Sequence, residues 1–182
     1  LPEGKPIGES WELADLAEGT SVVADGPLAG RSLTELTREL GEGLWGPPPA
    51  GKSAAGAGAA TKPGRFPLLL KYLDAEGTLS VQVHPDAEAA RRIGGGAALK
   101  TECWYVVESR GGFLYKGLKA GVTRDSFLAA IRADRPGDVL MRYDVRAGDF
   151  HFVPAGTVHA LGKGVVVAEI QTPSDTTYRV SD

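Results

Sequence analysis

The sequence predicts a mainly β protein, either a sandwich or a barrel, and two observations favour this fold class. The chain of 182 residues contains 25 glycines and 12 prolines. These residues separate many short apolar segments, as turns separate the strands of sandwiches and barrels. The predicted strands are Phe66–Leu73, Leu79–His84, Cys103–Glu108, Gly112–Lys116, Val139–Asp144, Asp149–Val153, Val165–Gln171 and Thr176–Val180.

Helical patterns are fewer and shorter than strand patterns. Ser32–Leu40 carries three leucines at helical spacing, and Ser32 suits the position before the first helical turn. Asp86–Ile93 and Thr123–Ile131 also begin at residues that commonly cap helices. We therefore expect a β core with a few short helices attached to it.

The bulk composition excludes several classes of protein. The net charge is −3, so no general basic field favours binding to nucleic acid or to an anionic membrane surface. No apolar run approaches the length of a membrane span, and we expect no secretory signal. The chain has one cysteine, Cys103, so it forms no internal disulfide, and a reducing, cytoplasmic setting is expected.

The stretch GPPPAGKS, at Gly46–Ser53, matches the phosphate-binding pattern GxxxxGK[ST]. We reject this interpretation because the phosphate is held by consecutive backbone N–H groups, and Pro47, Pro48 and Pro49 have none. No apolar strand leads into the stretch, and a run rich in alanine and glycine follows it. The sequence predicts a flexible surface loop from about residue 46 to 64.

The stretch LSVQVHPD, Leu79 to Asp86, ends an otherwise apolar strand with two polar side chains on one face. Gln82 and His84 are two positions apart, so both point to the same side. In a second region, Glu102 opens a strongly apolar strand, where a carboxylate is costly unless it is paired or bound to a cation. In a third region, His159 follows a Pro-Ala-Gly turn.

Two imidazoles, a carboxylate and an amide oxygen form a donor set that suits Zn²⁺ or another divalent first-row metal. A rigid β-barrel would allow the strand ends to meet. Each of these residues also has an ordinary explanation, because a single histidine in a strand is more often a satisfied polar residue than a ligand. Spacing alone therefore leaves both interpretations open.

The segment GDFHFVPAGTVHA matches the second cupin motif at Gly148, Pro154, Gly156 and His159, although Lys163 stands where that motif usually has asparagine. The first motif appears in a variant form as QVH. Together with GESWELAD, FPLLLKYLDA, LSVQVHPD, KTECWYV and SDTTYR, these motifs resemble the type I mannose-6-phosphate isomerases, particularly the short bacterial forms. The resemblance extends over most of the chain.

The resemblance implies a cupin-type β-barrel, or jelly roll, with residues 1–182 as a single catalytic domain. It also implies one zinc ion per chain. The implied zinc ligands are Gln82, His84, Glu102 and His159. Arg179 would be the essential arginine, and Ser80, Lys71 and Lys100 would line the substrate pocket. Asp175 would either orient Arg179 or cap a turn, and the two lysines are equally well explained as solvated charges.

The implied activity is the metal-dependent interconversion of mannose 6-phosphate and fructose 6-phosphate through an enediolate. The proton-transferring base stays open among a metal-bound water, the surroundings of His84 and a lysine. Family members usually carry a segment before GESWEL and a further β domain after the arginine motif. A minimal version, a fragment and a diverged homologue are all compatible with this, and an open sheet edge would favour a homodimer. The alternative function is a non-catalytic metal- or sugar-binding cupin module, a sensor or accessory protein.

Overall fold

The computed structural model describes residues 8–46 and 64–182. The predicted flexible loop at about 46–64, and with it nearly all of the GPPPAGKS stretch, lies outside the described residues. Within the described ranges, no helix combines the length and the apolar character needed to cross a membrane.

The described residues form ten β-strands in two antiparallel sheets of five strands each. The strands are β1 Glu9–Leu13, β2 Leu69–Ala75, β3 Val81–Val83, β4 Glu102–Ser109, β5 Phe113–Leu118, β6 Leu140–Asp144, β7 Phe150–Val153, β8 His159–Leu161, β9 Val165–Gln171 and β10 Tyr178–Ser181. Sheet one has the order β1-β2-β9-β4-β7, and sheet two has the order β10-β3-β8-β5-β6. This architecture confirms the mainly β, cupin-type jelly roll.

Three of the four helices in the described ranges begin within one residue of the predicted starts. The four helices are α1 Leu33–Leu40, α2 Glu42–Trp45, α3 Ala87–Ile93 and α4 Arg124–Arg132, and a 3₁₀ turn follows at Pro136–Asp138. Ser32 caps α1 in a reciprocal capping box, in which its side chain accepts from the N–H of Glu35 and its own N–H donates to the Glu35 carboxylate. Asp86 and Thr123 cap α3 and α4 in the predicted manner. The four-residue α2 is too short to leave a periodic signal in the sequence.

The hydrophobic core lies between the two sheets. The strand β9 contributes Val165 and Val167, which alternate with more exposed neighbours, and sheet two contributes Leu114 and Leu161. A second cluster lies on the outer face of sheet two, where Ala130 of α4 packs with residues of the strands. The outer face of sheet one has exposed aromatic side chains instead, namely Tyr72, Tyr105, Phe150 and Phe152.

Two strands carry no strand signal in the sequence. The edge strand β1 reads ESWEL and is mostly polar, because one side of an edge strand faces solvent. The strand β8 has only three residues, all buried, and this is too short for any alternation to be visible. The predicted strand Leu79–His84 shortens to Val81–Val83, and Leu79 is exposed.

Candidate metal centre

Three buried side chains meet between the sheets: His84, Glu102 and His159. Their ligand atoms lie within 4.8 Å of one another. The Nε2 atom of His84 is 3.4 Å from Oε2 of Glu102, and the Nε2 atom of His159 is 3.2 Å from Oε1 of the same carboxylate. The two histidines therefore approach Glu102 from different sides, one at each oxygen.

The opposite nitrogen of each imidazole is held by the backbone. Nδ1 of His84 lies 3.1 Å from the Thr176 carbonyl oxygen, and Nδ1 of His159 lies 2.8 Å from the Thr157 carbonyl oxygen. A carbonyl oxygen only accepts, so both Nδ1 atoms carry the hydrogen. In the neutral rings, each Nε2 then presents its lone pair to the centre of the cluster, which is the usual orientation of metal-binding histidines.

The cluster fits a divalent cation. His84 Nε2 and Glu102 Oε2 are both fully buried and have no hydrogen-bond partner. Lone pairs on imidazole nitrogen repel carboxylate oxygen, so this arrangement is costly unless positive charge lies between them. Two neutral imidazoles and a carboxylate are a donor set that zinc and similar metals accept.

The electrostatics of the cluster point in the same direction. Burial on its own would raise the pKa of Glu102, but its contacts with the His84 and His159 imidazoles and the positive charge of Lys100 outweigh it and lower this pKa to about 2. Burial lowers the pKa of His159, against the raising effect of Glu102. The carboxylate is thus ionised and the His159 imidazole favours its neutral form, as metal coordination requires.

Strand register brings Gln82 to this cluster. The Cα of Gln82 is directly opposite that of His159 in the β3–β8 pair, so the two side chains share one face. The Gln82 amide donates from Nε2 to the Ser80 hydroxyl at 2.8 Å. Both Gln82 and Ser80 line the cavity that opens beside the three clustered residues.

This cavity has a volume of about 120 Å³ and is rich in charged side chains. Its polar and charged lining residues are Glu9, Lys71, Ser80, Gln82, Lys100, Glu102, His159 and Glu169. The side chains of Lys71 and Lys100 are only 13% and 6% exposed. Lys100 Nζ lies 3.4 Å from Glu102, and Lys71 Nζ lies 3.4 Å from Glu169. These two lysines are therefore cavity residues and not solvated charges.

The site is built from one row of residues on each sheet. On sheet one, successive partners across the strands are Trp11, Lys71, Glu169, Trp104 and His151. On sheet two, they are Arg179, Gln82, His159 and Lys116. The rows face each other where the rings of Trp104 and His159 meet edge to face at 5.4 Å. Because strand partners share a face, register alone groups these residues.

Residues 1–102 match the family model described as phosphomannose isomerase type I, catalytic domain. The chain belongs to this family. It is 42% identical, over 183 residues, to the probable mannose-6-phosphate isomerase GmuF of Bacillus subtilis, a match that spans all of this chain and 53% of that relative. Within the phosphomannose isomerase family, the chain therefore spans about half the length of the curated relatives it matches.

Solved structures of phosphomannose isomerases share the fold. The crystal structure of the mannose 6-phosphate isomerase from Bacillus subtilis superposes with a TM-score of 0.76 at 36% identity, over 96% of this chain and 51% of that one. A mannose 6-phosphate isomerase whose structure contains zinc and yttrium superposes with a TM-score of 0.61 at 16% identity, over 98% of this chain and 63% of that one. At 16% identity, the second comparison shows only that the fold is shared.

Arg179 does not line the cavity of this phosphomannose isomerase family member. As the essential arginine that the resemblance implies, Arg179 would turn its guanidinium toward the metal ligands. Its side chain is instead 67% exposed, and its Nη1 atom lies 3.6 Å from the Asp182 carboxylate. The difference has a simple cause, because β10 is the edge strand of sheet two and solvent competes for its side chains. The Cα of Arg179 is nevertheless opposite that of Gln82.

Glu169 is a cavity residue that the sequence interpretation missed. It lies in β9, is buried, and accepts a hydrogen bond from the Trp104 indole N–H at 3.0 Å. Burial and the nearby Glu102 charge raise its pKa, despite the opposing effect of Lys71. The signal was present in VVVAEIQ, because alternation puts Glu169 on the face of Val165 and Val167. The argument that singled out Glu102 applies equally to this carboxylate.

Two neighbours of Glu102 in β4 have opposite orientations, as strand alternation requires. Trp104 shares the inner face with Glu102 and is buried, whereas Cys103 points to the outer face of sheet one. The Cys103 thiol lies 3.5 Å from the Ile170 carbonyl and is partly exposed, so it is not a core residue. Asp175 lies at a different cavity, with Arg65 and Ser174.

Proposed function

We propose that this chain carries the active site of a metal-dependent aldose–ketose isomerase that interconverts mannose 6-phosphate and fructose 6-phosphate. The observation that carries the proposal is the buried His84–Glu102–His159 cluster, with two orphaned ligand atoms, at the floor of a cavity lined by lysines. Membership of the phosphomannose isomerase family supports the choice of reaction. We place the activity in the cytoplasm and assign residues 1–182 to one cupin-like catalytic unit.

The metal in this proposal is one Zn²⁺ ion per chain. Its ligands are Gln82, His84, Glu102 and His159. Two observations support zinc. A mannose 6-phosphate isomerase of similar fold has a structure that contains zinc, and the nitrogen and oxygen donor set suits this metal. An ion held by these residues would supply Lewis-acid chemistry, namely polarisation of the sugar carbonyl and stabilisation of negative charge on its oxygen.

The cavity residues bind and orient the open-chain sugar phosphate. Lys71 and Lys100 supply ammonium groups that are already desolvated, so their contacts with anionic oxygens are strong. Ser80 offers a hydroxyl beside Gln82 for a sugar hydroxyl group. Arg179 serves the reaction by turning from Asp182 toward Gln82, since its backbone position is already opposite that residue.

We assign the proton transfer between C1 and C2 of the sugar to Glu169. Its pKa is raised by burial, so it takes up a proton more readily than an ordinary carboxylate does. Its Oε1 atom is buried without a hydrogen-bond partner, and the indole of Trp104 holds the other oxygen in place. In Glu169→Gln protein we expect kcat to fall by roughly 10²–10⁴-fold with metal content unchanged.

The decisive experiment is a coupled assay for fructose 6-phosphate formation from mannose 6-phosphate, run with and without a chelator. We expect activity that the chelator abolishes and Zn²⁺ restores. A chain that binds zinc but isomerises no hexose or pentose phosphate would support the alternative, a binding module without turnover.

Variants of Arg179 provide a second test that distinguishes the isomerase from the binding module. In the enzyme, Arg179→Ala should lower kcat by about 10²–10³-fold while metal content stays the same, and Arg179→Lys should recover part of the rate. Wild-type rates in Arg179→Ala protein would remove this residue from the mechanism.

A further inference from the structure

The two facing rows continue beyond the Trp104–His159 ring pair. On sheet one the next residue is His151 of β7, the strand partner of Trp104. On sheet two the next is Lys116 of β5, the strand partner of His159. Because β7 and β6 are edge strands of the two sheets, this pair of bases lies on the side of the barrel away from Lys71 and Glu169.

Tyr143 of β6 joins the two bases. Lys116 Nζ lies 5.4 Å from the centre of the Tyr143 ring, and the imidazole of His151 meets the same ring edge to face at 5.9 Å. The Tyr143 ring itself packs against the hydrophobic core. Two basic side chains are therefore arranged around one fixed aromatic wall, and both are partly withdrawn from solvent.

The charges at this place are unbalanced, in contrast to those in the metal cavity. Lys71 and Lys100 each meet a buried carboxylate. Neither Lys116 nor His151 forms a salt bridge with any described residue. Burial and the Lys116 charge lower the pKa of His151, and the Asp149 charge opposes them only in part. Two partly desolvated bases that repel each other favour an anion between them.

We propose that Lys116 and His151 form an anion-binding site for a phosphoryl group, with Tyr143 as its wall. Lys116 offers three N–H donors, and a protonated His151 offers its ring N–H groups, to several phosphoryl oxygens. The site is separate from the metal centre, since the Trp104 and His159 rings stand between them. The inference does not depend on the proposed isomerase activity.

The chain has only three histidines, so nuclear magnetic resonance can follow each ring separately. We expect inorganic phosphate to move the His151 ring signals and to raise the pKa of His151, while the signals of His84 and His159 stay in place. In Lys116→Met protein, phosphate should bind roughly tenfold more weakly or not at all, because one charge-assisted contact is lost. The pKa of His151 should rise in that variant even without phosphate.

Lys163→Met is the matched control, because Lys163 is an exposed lysine elsewhere on the surface. It should bind phosphate as the wild type does. His151→Gln, tested by calorimetry, provides a second variant that removes the charge but keeps a polar side chain. A second titration with mannose 6-phosphate identifies the source of the phosphoryl group. The same His151 response indicates a sugar phosphate subsite, and a response to inorganic phosphate alone indicates a free phosphate site.

Three outcomes would overturn the proposal. The first is a His151 ring that does not respond to phosphate at millimolar concentration. The second is a response at His84 and His159 instead, which would place the anion at the metal centre. The third is equal weakening in Lys116→Met and Lys163→Met protein, which would indicate a general charge effect.

Discussion

Asp15 and Glu102 are equally buried carboxylates, each only 2% exposed, with different surroundings. Asp15 is fully satisfied. Its Oδ1 accepts from the Arg65 guanidinium at 2.6 Å and from the Thr34 hydroxyl at 2.5 Å, and its Oδ2 accepts from the Phe66 N–H at 2.8 Å. Glu102 faces two imidazole nitrogens and the Lys100 ammonium at more than 3 Å, and its Oε2 has no hydrogen-bond partner.

The difference shows that burial of a carboxylate does not by itself indicate a functional site. Both groups have a lowered pKa, so the direction of the shift does not separate them either. What separates them is whether the protein supplies every hydrogen bond. Asp15 ties β1 and α1 to the segment at Arg65, as a structural ion pair does. Glu102 keeps one buried oxygen without a hydrogen-bond partner, as a carboxylate suited to bind a cation does.

Removal of a histidine from the Glu102 cluster should have the largest effect. In His84→Ala and His159→Ala protein, we expect metal affinity to fall by more than about 100-fold, since even outer contacts of metal ligands are worth 10–100-fold. Metal analysis after dialysis measures this. His151→Ala is the matched control and should keep its metal. Full occupancy in both ligand variants would show that the cluster is not the metal centre.

Asp15→Asn should instead reduce stability. Loss of the carboxylate leaves the partly buried Arg65 without its counter-charge, which typically costs about 3–5 kcal/mol in the free energy of unfolding. Urea unfolding measures this change, and metal content per folded chain should stay at the wild-type value. If Asp15→Asn lost metal but not stability, the contrast between the two carboxylates would be reversed.

Lys100→Met should have a smaller effect, and it tests how the ammonium group beside Glu102 influences metal binding. Lys100 and the metal compete for the same carboxylate, so metal affinity should rise, by about tenfold or less, when the ammonium is removed. The proposed isomerase activity should fall in the same variant. Calorimetric zinc titration measures the affinity, and Lys119→Met serves as a control because Lys119 binds backbone carbonyls away from the cavity. A weaker zinc affinity would mean that Lys100 supports the ligand geometry.

The smallest effect concerns acid stability. Burial alone would raise the pKa of Asp15, but its hydrogen bonds and Arg65 together lower it below the unfolded value of 3.8. The ionised group therefore stabilises the fold above about pH 4, and this stabilisation is lost as the pH falls through the folded-state pKa. Unfolding at several acid pH values should show a shallower decline for Asp15→Asn than for the wild type. If the free energy of unfolding fell equally with pH in both proteins, Asp15 would not be a source of the loss of stability in acid.

The fold was predictable wherever strands are long and apolar. VVVAEIQ gives β9 with the observed bounds, and the capping residues locate three helices to within one residue. The edge strand β1 and the short β8 were not predictable, because polar composition and three residues leave no periodic pattern. The inward faces of Gln82 and Glu102 followed from period-two alternation. The orientation of Arg179 did not, since solvent and Asp182 decide it at an open edge.

Because strand pairing builds the interior rows, the site tolerates added chain length in some places and not in others. Residues inserted into the glycine turn at 94–96 would enlarge a surface connection and leave every pairing intact. One residue inserted into β9 between Val167 and Ala168 would reverse the inward face of the rest of the strand. Ala168 would then occupy the place of the carboxylate. Insertions and deletions between strands should therefore preserve this centre. Insertions and deletions of single residues inside β9 should abolish it.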